Sequence, residues 1–170
     1  MEPKKIVYVD SSALIKVFVE EQGSLEIKQY MAEVVARGNA CFVTAAVTKA
    51  EVMAGLSAIR RGRHITQREF EEAVANFWEQ WNVFSIADVT TALIDRAGEI
   101  GLNYKIKGCD AFQLASALEG EADLLISTDS DLNMAADAHG LTVWNPMNEP
   151  QPNINILPAQ PESPSNEENV

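Results

Sequence analysis

Apolar residues in the first 145 positions gather into short runs separated by longer amphipathic stretches. The runs at 6–9, 41–43, 83–86, 124–126 and 142–144 are short and predominantly apolar, which predicts strands buried on both faces. The stretches between them repeat apolar positions at helical spacing. Alternation of such strands with helices predicts an α/β domain, with a parallel sheet covered by helices on both faces. Punctuation residues support this division. Thr44 is placed to cap a helix over 45–61, Thr66 one over 67–81 and Asp88 one over 89–100, while Gly62, Gly101, Gly120 and Gly140 stand where helices should stop.

At 170 residues and 46% hydrophobic content, the chain can bury one substantial core. The pattern changes near Asn148. Beyond it Pro150, Pro152, Pro158, Pro161 and Pro164 stand among Asn, Gln, Ser and Glu, with no Lys or Arg. Such a segment has too little apolar surface to offset the entropy of ordering, so the expected division is a folded domain over 1–147 and a disordered acidic tail over 148–170. No internal repeat is visible.

Composition narrows the function. No apolar run approaches the roughly eighteen residues of a membrane span, and the first five residues carry no signal-peptide pattern, so a cytoplasmic protein without a membrane partner is expected. Cys41 and Cys109 are too few for a disulfide framework and read as small core hydrophobes. Thirteen Lys and Arg against 25 Asp and Glu give a formal charge of −12, which argues against nonspecific polyanion binding. Any nucleic-acid role must then rest on bound cations or a local basic patch.

The candidate chemistry lies in acids beside the apolar runs. Asp10 follows the first strand directly and is followed by Ser11 and Ser12. It suits a helix cap, but it also stands at the carboxyl end of a strand, where open parallel sheets bind ligands. On its helix Glu51 has Val47, Ala54 and Gly55 as neighbours, a small apolar face on which an unpartnered glutamate would be costly. Asp110 opens a helical run in which Leu114 and Ala117 share its face. Asp129 and Asp131 follow the 124–126 strand. Asp131 is expected to cap the next helix while Asp129 points to the site, and Ser12 and Ser127 can orient carboxylates as hydrogen-bond donors.

These segments together resemble the PIN-domain family, and more narrowly the VapC-like endoribonuclease toxins of type II toxin–antitoxin systems. Val9-Asp10-Ser11-Ser12-Ala13-Leu14-Ile15-Lys16 is similar to the family's opening motif, Thr48-Lys49-Ala50-Glu51 to its second and Asp110-Ala111-Phe112-Gln113-Leu114-Ala115-Ser116-Ala117 to its third. Ser127-Thr128-Asp129-Ser130-Asp131-Leu132 is similar to the fourth, with Ser127 where Thr is usual. The resemblance implies a three-layer fold around a five-stranded parallel sheet and a metal-dependent ribonuclease. Asp10, Asp110 and Asp129 would hold Mg²⁺ or Mn²⁺, Glu51 a second cation or a water, and the products would carry 5′-phosphate and 3′-hydroxyl ends. Oxygen-only ligands independently favour such hard cations. The resemblance also implies a homodimer, an RNA substrate and a cognate antitoxin protein.

Other readings stay open at this level. His64, in the basic stretch Arg60-Arg61-Gly62-Arg63-His64, and His139 lack any motif of a catalytic base and read as solvated. The basic stretch suits a loop between helices, with RNA phosphate contact as its functional alternative. Trp78 and Trp81 read as core or interface residues rather than base-stacking platforms. A phosphoaspartyl phosphatase would need a second Asp at Ser12, and a receiver domain paired early acids. A catalytically silent protein-binding module and a stand-alone RNA-processing nuclease are the remaining alternatives, the acidic tail being the main argument for the silent module.

Overall fold

In a computed structural model describing residues 4–153, the first apolar run forms β1 (Lys5–Val9) and the others follow in a regular rotation. The order is α1 (Ser11–Phe18), α2 (Ser24–Arg37), β2 (Ala40–Ala45), α3 (Thr48–Arg61), α4 (Gln67–Gln80), a 3₁₀ turn (Trp81–Val83) and β3 (Ser85–Ala87). Then come α5 (Thr91–Asn103), α6 (Gly108–Glu119), β4 (Leu124–Ile126), α7 (Ser130–Ala138) and β5 (Val143–Trp144). All five strands pair in parallel in the order β3-β2-β1-β4-β5, with Val7 opposite both Phe42 and Leu124. The expected five-stranded parallel sheet is therefore present.

The chain steps outward from β1 to β3, then crosses back to β4 and steps the other way to β5. Right-handed crossovers put helices on one face while the chain moves in one direction and on the other face once it reverses. Successive side chains of β1 show the result. Val7 and Val9 pack with Leu14, Ile27, Leu56 and Phe77, from α1 to α4, whereas Tyr8 packs with Leu93, Leu114 and Leu132, from α5 to α7. The reversal falls between β1 and β4, and their carboxyl ends open into the crevice that such a switch point creates. Glycine has one clear packing role here. A Cβ at Gly55 would run into the Ile15 side chain, so its absence lets α3 lie close against α1.

Several local expectations are corrected. Thr44 is a strand residue whose hydroxyl donates to Val9 O (2.8 Å), and α3 begins only at Thr48, after the turn at 46–47. Thr90, not Asp88, caps α5, accepting from the Leu93 N–H at 3.1 Å. That helix runs through Gly101 to Asn103. The 83–86 run divides between the 3₁₀ turn and β3, because the Trp81 and Phe84 rings pack together and close a last turn onto α4. Thr66 does cap α4, in a reciprocal capping box with Glu69. Cys41 is half-buried and Cys109 exposed, so neither is a core hydrophobe.

Residues 148–153 fold back on the body. Glu149 accepts from Asn145 N (2.8 Å) through its side chain and from Trp144 Nε1 (3.3 Å) through its carbonyl, and Gln151 reaches Glu33 at 3.4 Å. The remainder of the expected tail lies outside the described residues. No helix among the described residues is long and apolar enough to cross a membrane.

Candidate active site

Asp10 ends β1 and turns into the first turn of α1. Its backbone N–H is taken by Ile126 O of β4 (3.0 Å), which fixes it over the junction of the two central strands. Three donors converge on its Oδ2: the Ser12 N–H (3.0 Å), the Ser12 hydroxyl (2.6 Å) and the Ser127 hydroxyl (3.2 Å). Asp10 is thus both a helix cap and a buried carboxylate, 3% exposed. Ser12 and Ser127 also tie the facing loop in place, since Ser12 Oγ accepts from Thr128 N (3.0 Å) and Ser127 Oγ from Asp129 N (3.1 Å).

Asp129 is the N-cap of α7, its Oδ1 accepting from the N–H groups of Asp131 and Leu132, both at 2.9 Å. The expectation that Asp131 caps this helix is therefore corrected. The helix begins immediately after Asp129, so the amides left free at its start are those two and three residues beyond it. Asp131 is exposed in the first turn, where its charge faces the positive end of the helix dipole. Both cap bonds fall on one oxygen of Asp129, so capping and orientation toward the crevice are compatible.

Glu51 lies in the first turn of α3, half-buried, and accepts from Gln113 Nε2. Asp110 lies in the first turn of α6, also half-buried, with Lys107 N donating to its Oδ2 at 3.3 Å. Four elements widely separated in sequence thus bring four carboxylates into one electrostatic field. Burial pushes the Asp10 carboxyl above its ordinary range, against the opposing bonds from Ser12 and Ser127. Burial raises Glu51 too, with the Asp10 and Asp110 charges adding and the Gln113 bond opposing. Asp110 is raised by burial, then by Asp129 and Asp10, with Lys107 opposing. None of the four is in an ion pair with Lys, Arg or His among the described residues. Charge that is crowded, desolvated and without an ion-pair partner is the condition a bound cation relieves. The donor set, oxygen only, fits Mg²⁺ or Mn²⁺ in kind. As placed, each carboxylate is turned to protein donors, and no three His, Cys, Asp or Glu side chains among the described residues are close enough together to share one ion.

A polar network beneath the site escaped the sequence reading. Gln113 is fully buried. It accepts from the Tyr8 hydroxyl (2.6 Å) and donates from Nε2 to Glu51 and to Thr48 Oγ1 (2.9 Å), while Thr48 lies 2.9 Å from Thr44 Oγ1. Burial pushes the Tyr8 hydroxyl far up and the Asp10 and Glu51 charges add to this, so Tyr8 stays a donor and holds the Gln113 amide with its NH₂ toward Glu51. The signal available in sequence was a glutamine at the centre of the apolar α6 run. His64 and His139 are exposed, as expected, and the basic stretch spans the last turn of α3 and the start of its connection to α4. There Arg60 is held by Gln67 and the Phe70 ring, and Arg61 by Ser57. Trp81 is half-buried against the core. Trp78 is 48% exposed, and Lys49 Nζ sits 4.9 and 4.8 Å from the Trp78 and Trp81 ring centres.

A fold in which acids from the end of β1, α3, α6 and the β4–α7 junction share one electrostatic field defines a class, and comparison with known proteins names it. The PIN domain family model matches residues 7–138, and the chain belongs to that family. The chain is 29% identical over 140 residues to Ribonuclease VapC45 of Mycobacterium tuberculosis, covering 81% of this chain and 94% of that protein. Among solved structures it resembles FitAcB from Neisseria gonorrhoeae, with a TM-score of 0.61 at 14% identity over 84% of this chain and 99% of that one. It also resembles a toxin–antitoxin complex from Klebsiella pneumoniae, with a TM-score of 0.58 at 21% identity over 82% and 97% of the two chains.

Proposed function

We propose that this protein is a metal-dependent endoribonuclease, the toxin of a toxin–antitoxin pair. The observation that carries the reading is the set of four carboxylates, none of them in an ion pair with a basic residue among the described residues, at the carboxyl end of the central strands. The named ribonuclease relative, aligned over most of both chains, supports RNA as the substrate.

Asp10, Asp110 and Asp129 would hold the principal Mg²⁺ or Mn²⁺, and Glu51 a second cation or an ordered water. The cation would activate water for attack on phosphorus and offset charge on the phosphoryl oxygens. The protein's own part is to fix the ligands. Ser12 and Ser127 aim Asp10, the α7 amides hold one oxygen of Asp129, and Gln113 holds Glu51. Hydrolysis with departure of the 3′-oxygen leaves a 5′-phosphate and a 3′-hydroxyl.

Resemblance to a toxin–antitoxin complex supports a small protein antitoxin as partner, with an Arg or Lys able to enter the acidic crevice, and a homodimer as the assembled toxin. The test has two arms. Purified partner-free protein should cut cellular RNA with Mg²⁺ or Mn²⁺ and not in EDTA, and its expression should arrest growth unless the neighbouring antitoxin gene is present or Asp10 is replaced by Asn. Harmless expression of a protein that cuts RNA would leave a stand-alone nuclease. Absence of cleavage would leave the silent binding module.

A further inference from the structure

The acids occupy one end of a longer groove whose basic residues belong to no motif. Between the α5–α6 loop and α7 lie two adjoining hollows of about 470 and 330 Å³. The larger is lined by Asp110 and Asp129 and by Lys105 and Lys107, and the smaller by Met134, Ala135 and Ala138. Tyr104, Lys105, Ile106 and Asp131 belong to both. The two lysines are exposed, form no ion pair among the described residues and, unlike Lys49, Arg60 and Arg61 on α3, line the same hollow as Asp110 and Asp129. On a chain of formal charge −12, two unpaired ammonium groups beside carboxylates are the local exception that an anionic ligand requires. Met134 is 72% exposed, an unusual amount of apolar surface on α7, and it faces the same groove.

Resting on the nuclease reading, we propose that this groove holds the nucleotide next to the scissile phosphate. Lys105 and Lys107 take the phosphates that run away from the carboxylates, and the apolar hollow formed by Tyr104, Ile106 and Met134 takes a base. The order of chemistry along the groove matches one nucleotide repeat: carboxylates for the reacting phosphate, ammonium groups for its neighbour, then an apolar wall with an aromatic edge for the heterocycle. Lys105 and Lys107 are substrate-positioning residues, and the apolar hollow selects the base.

The test uses the full-length protein and 5′-fluorescein-labelled single-stranded RNA 12-mers that differ at single positions around a mapped cleavage site. Lys105→Ser combined with Lys107→Ser should raise KM about tenfold while kcat stays within about threefold. In the cleavage-inactive Asp10→Asn background the same pair should lower the salt slope of RNA binding by about 1.4, two phosphate contacts' worth for a single strand. Lys105→Arg with Lys107→Arg should restore KM. Met134→Ser should change the base preferred at one position beside the cut without altering the slope. If wild-type protein cleaves RNA and the double serine variant keeps its KM and slope, the groove assignment is overturned and the nuclease reading stands. If wild-type protein cleaves no RNA, both fall.

Discussion

Replacing Gln113 by methionine keeps the side-chain volume and removes the amide at the centre of the network under Glu51. Three hydrogen bonds disappear, to Tyr8, Thr48 and Glu51, one of them to a charged group. Neutral bonds contribute about 1 kcal/mol each and charge-assisted ones about 1.5–3, and the buried Tyr8 hydroxyl would be left without its acceptor. Since a volume-conserving swap adds little packing cost, the loss should total about 3.5–5 kcal/mol, a fall in Tm of roughly 7–20 °C for a domain of this size. Cleavage should fall as well, by roughly 10- to 100-fold, because Glu51 loses the donor that aims it. Thermal melts of Gln113→Met, Tyr8→Phe and the double variant form a cycle whose coupling should be about 0.5–3 kcal/mol, showing that the residues act as one unit. A Tm within about 2 °C of wild type together with no coupling would refute the network as the support of Glu51.

Further expectations follow from the site and the chain's end. Asp10, Glu51 and Asp110 all hold protons more tightly folded than unfolded, so metal-free protein should gain stability as pH falls from neutral toward the ordinary carboxylate range, with no further gain below it. Melts in EDTA across that range check the sign, and a stability that instead rises with pH would contradict it. Asp10→Asn should raise the Tm at neutral pH and flatten this dependence while abolishing cleavage, as should Asp110→Asn and Asp129→Asn for cleavage; wild-type rates in the three would remove the carboxylates from the mechanism. A chain ending after residue 153 should melt like the full-length protein, whereas one ending at 147 should melt lower because it lacks Glu149 under Trp144 and Asn145. Equal melting of both would show that those bonds carry nothing.

The fold was legible because its strands are short and mostly apolar, and the four acids because Asp10 and Asp129 follow such runs while Glu51 and Asp110 lie on or at the start of apolar helix faces. Local geometry was harder to read. Asp88 and Thr90 are both able to cap, and only packing of Leu93, Ala97 and Ile100 in the cluster shared with α6 selects the helix start that uses Thr90. Asp129 and Asp131 pose the same ambiguity, resolved by where β4 releases the chain. Thr44 looked like a cap because its hydroxyl bond to Val9 crosses to another strand and leaves no trace in local sequence. Gln113 was invisible for the same reason: its partners Tyr8 and Thr48 lie 105 and 65 residues away. Periodicity reports burial, and says nothing of which distant group will satisfy a buried amide.

The central claim, that these carboxylates form a hydrolytic metal centre for RNA, is tested most directly by mapping the ends of products. Partner-free protein is incubated with a single-stranded RNA in Mg²⁺ or Mn²⁺ and in EDTA, beside Asp110→Asn. The account predicts 5′-phosphate and 3′-hydroxyl ends that form only with wild-type protein and divalent metal. Products with 2′,3′-cyclic phosphate ends, formed equally in EDTA and by Asp110→Asn, would contradict it.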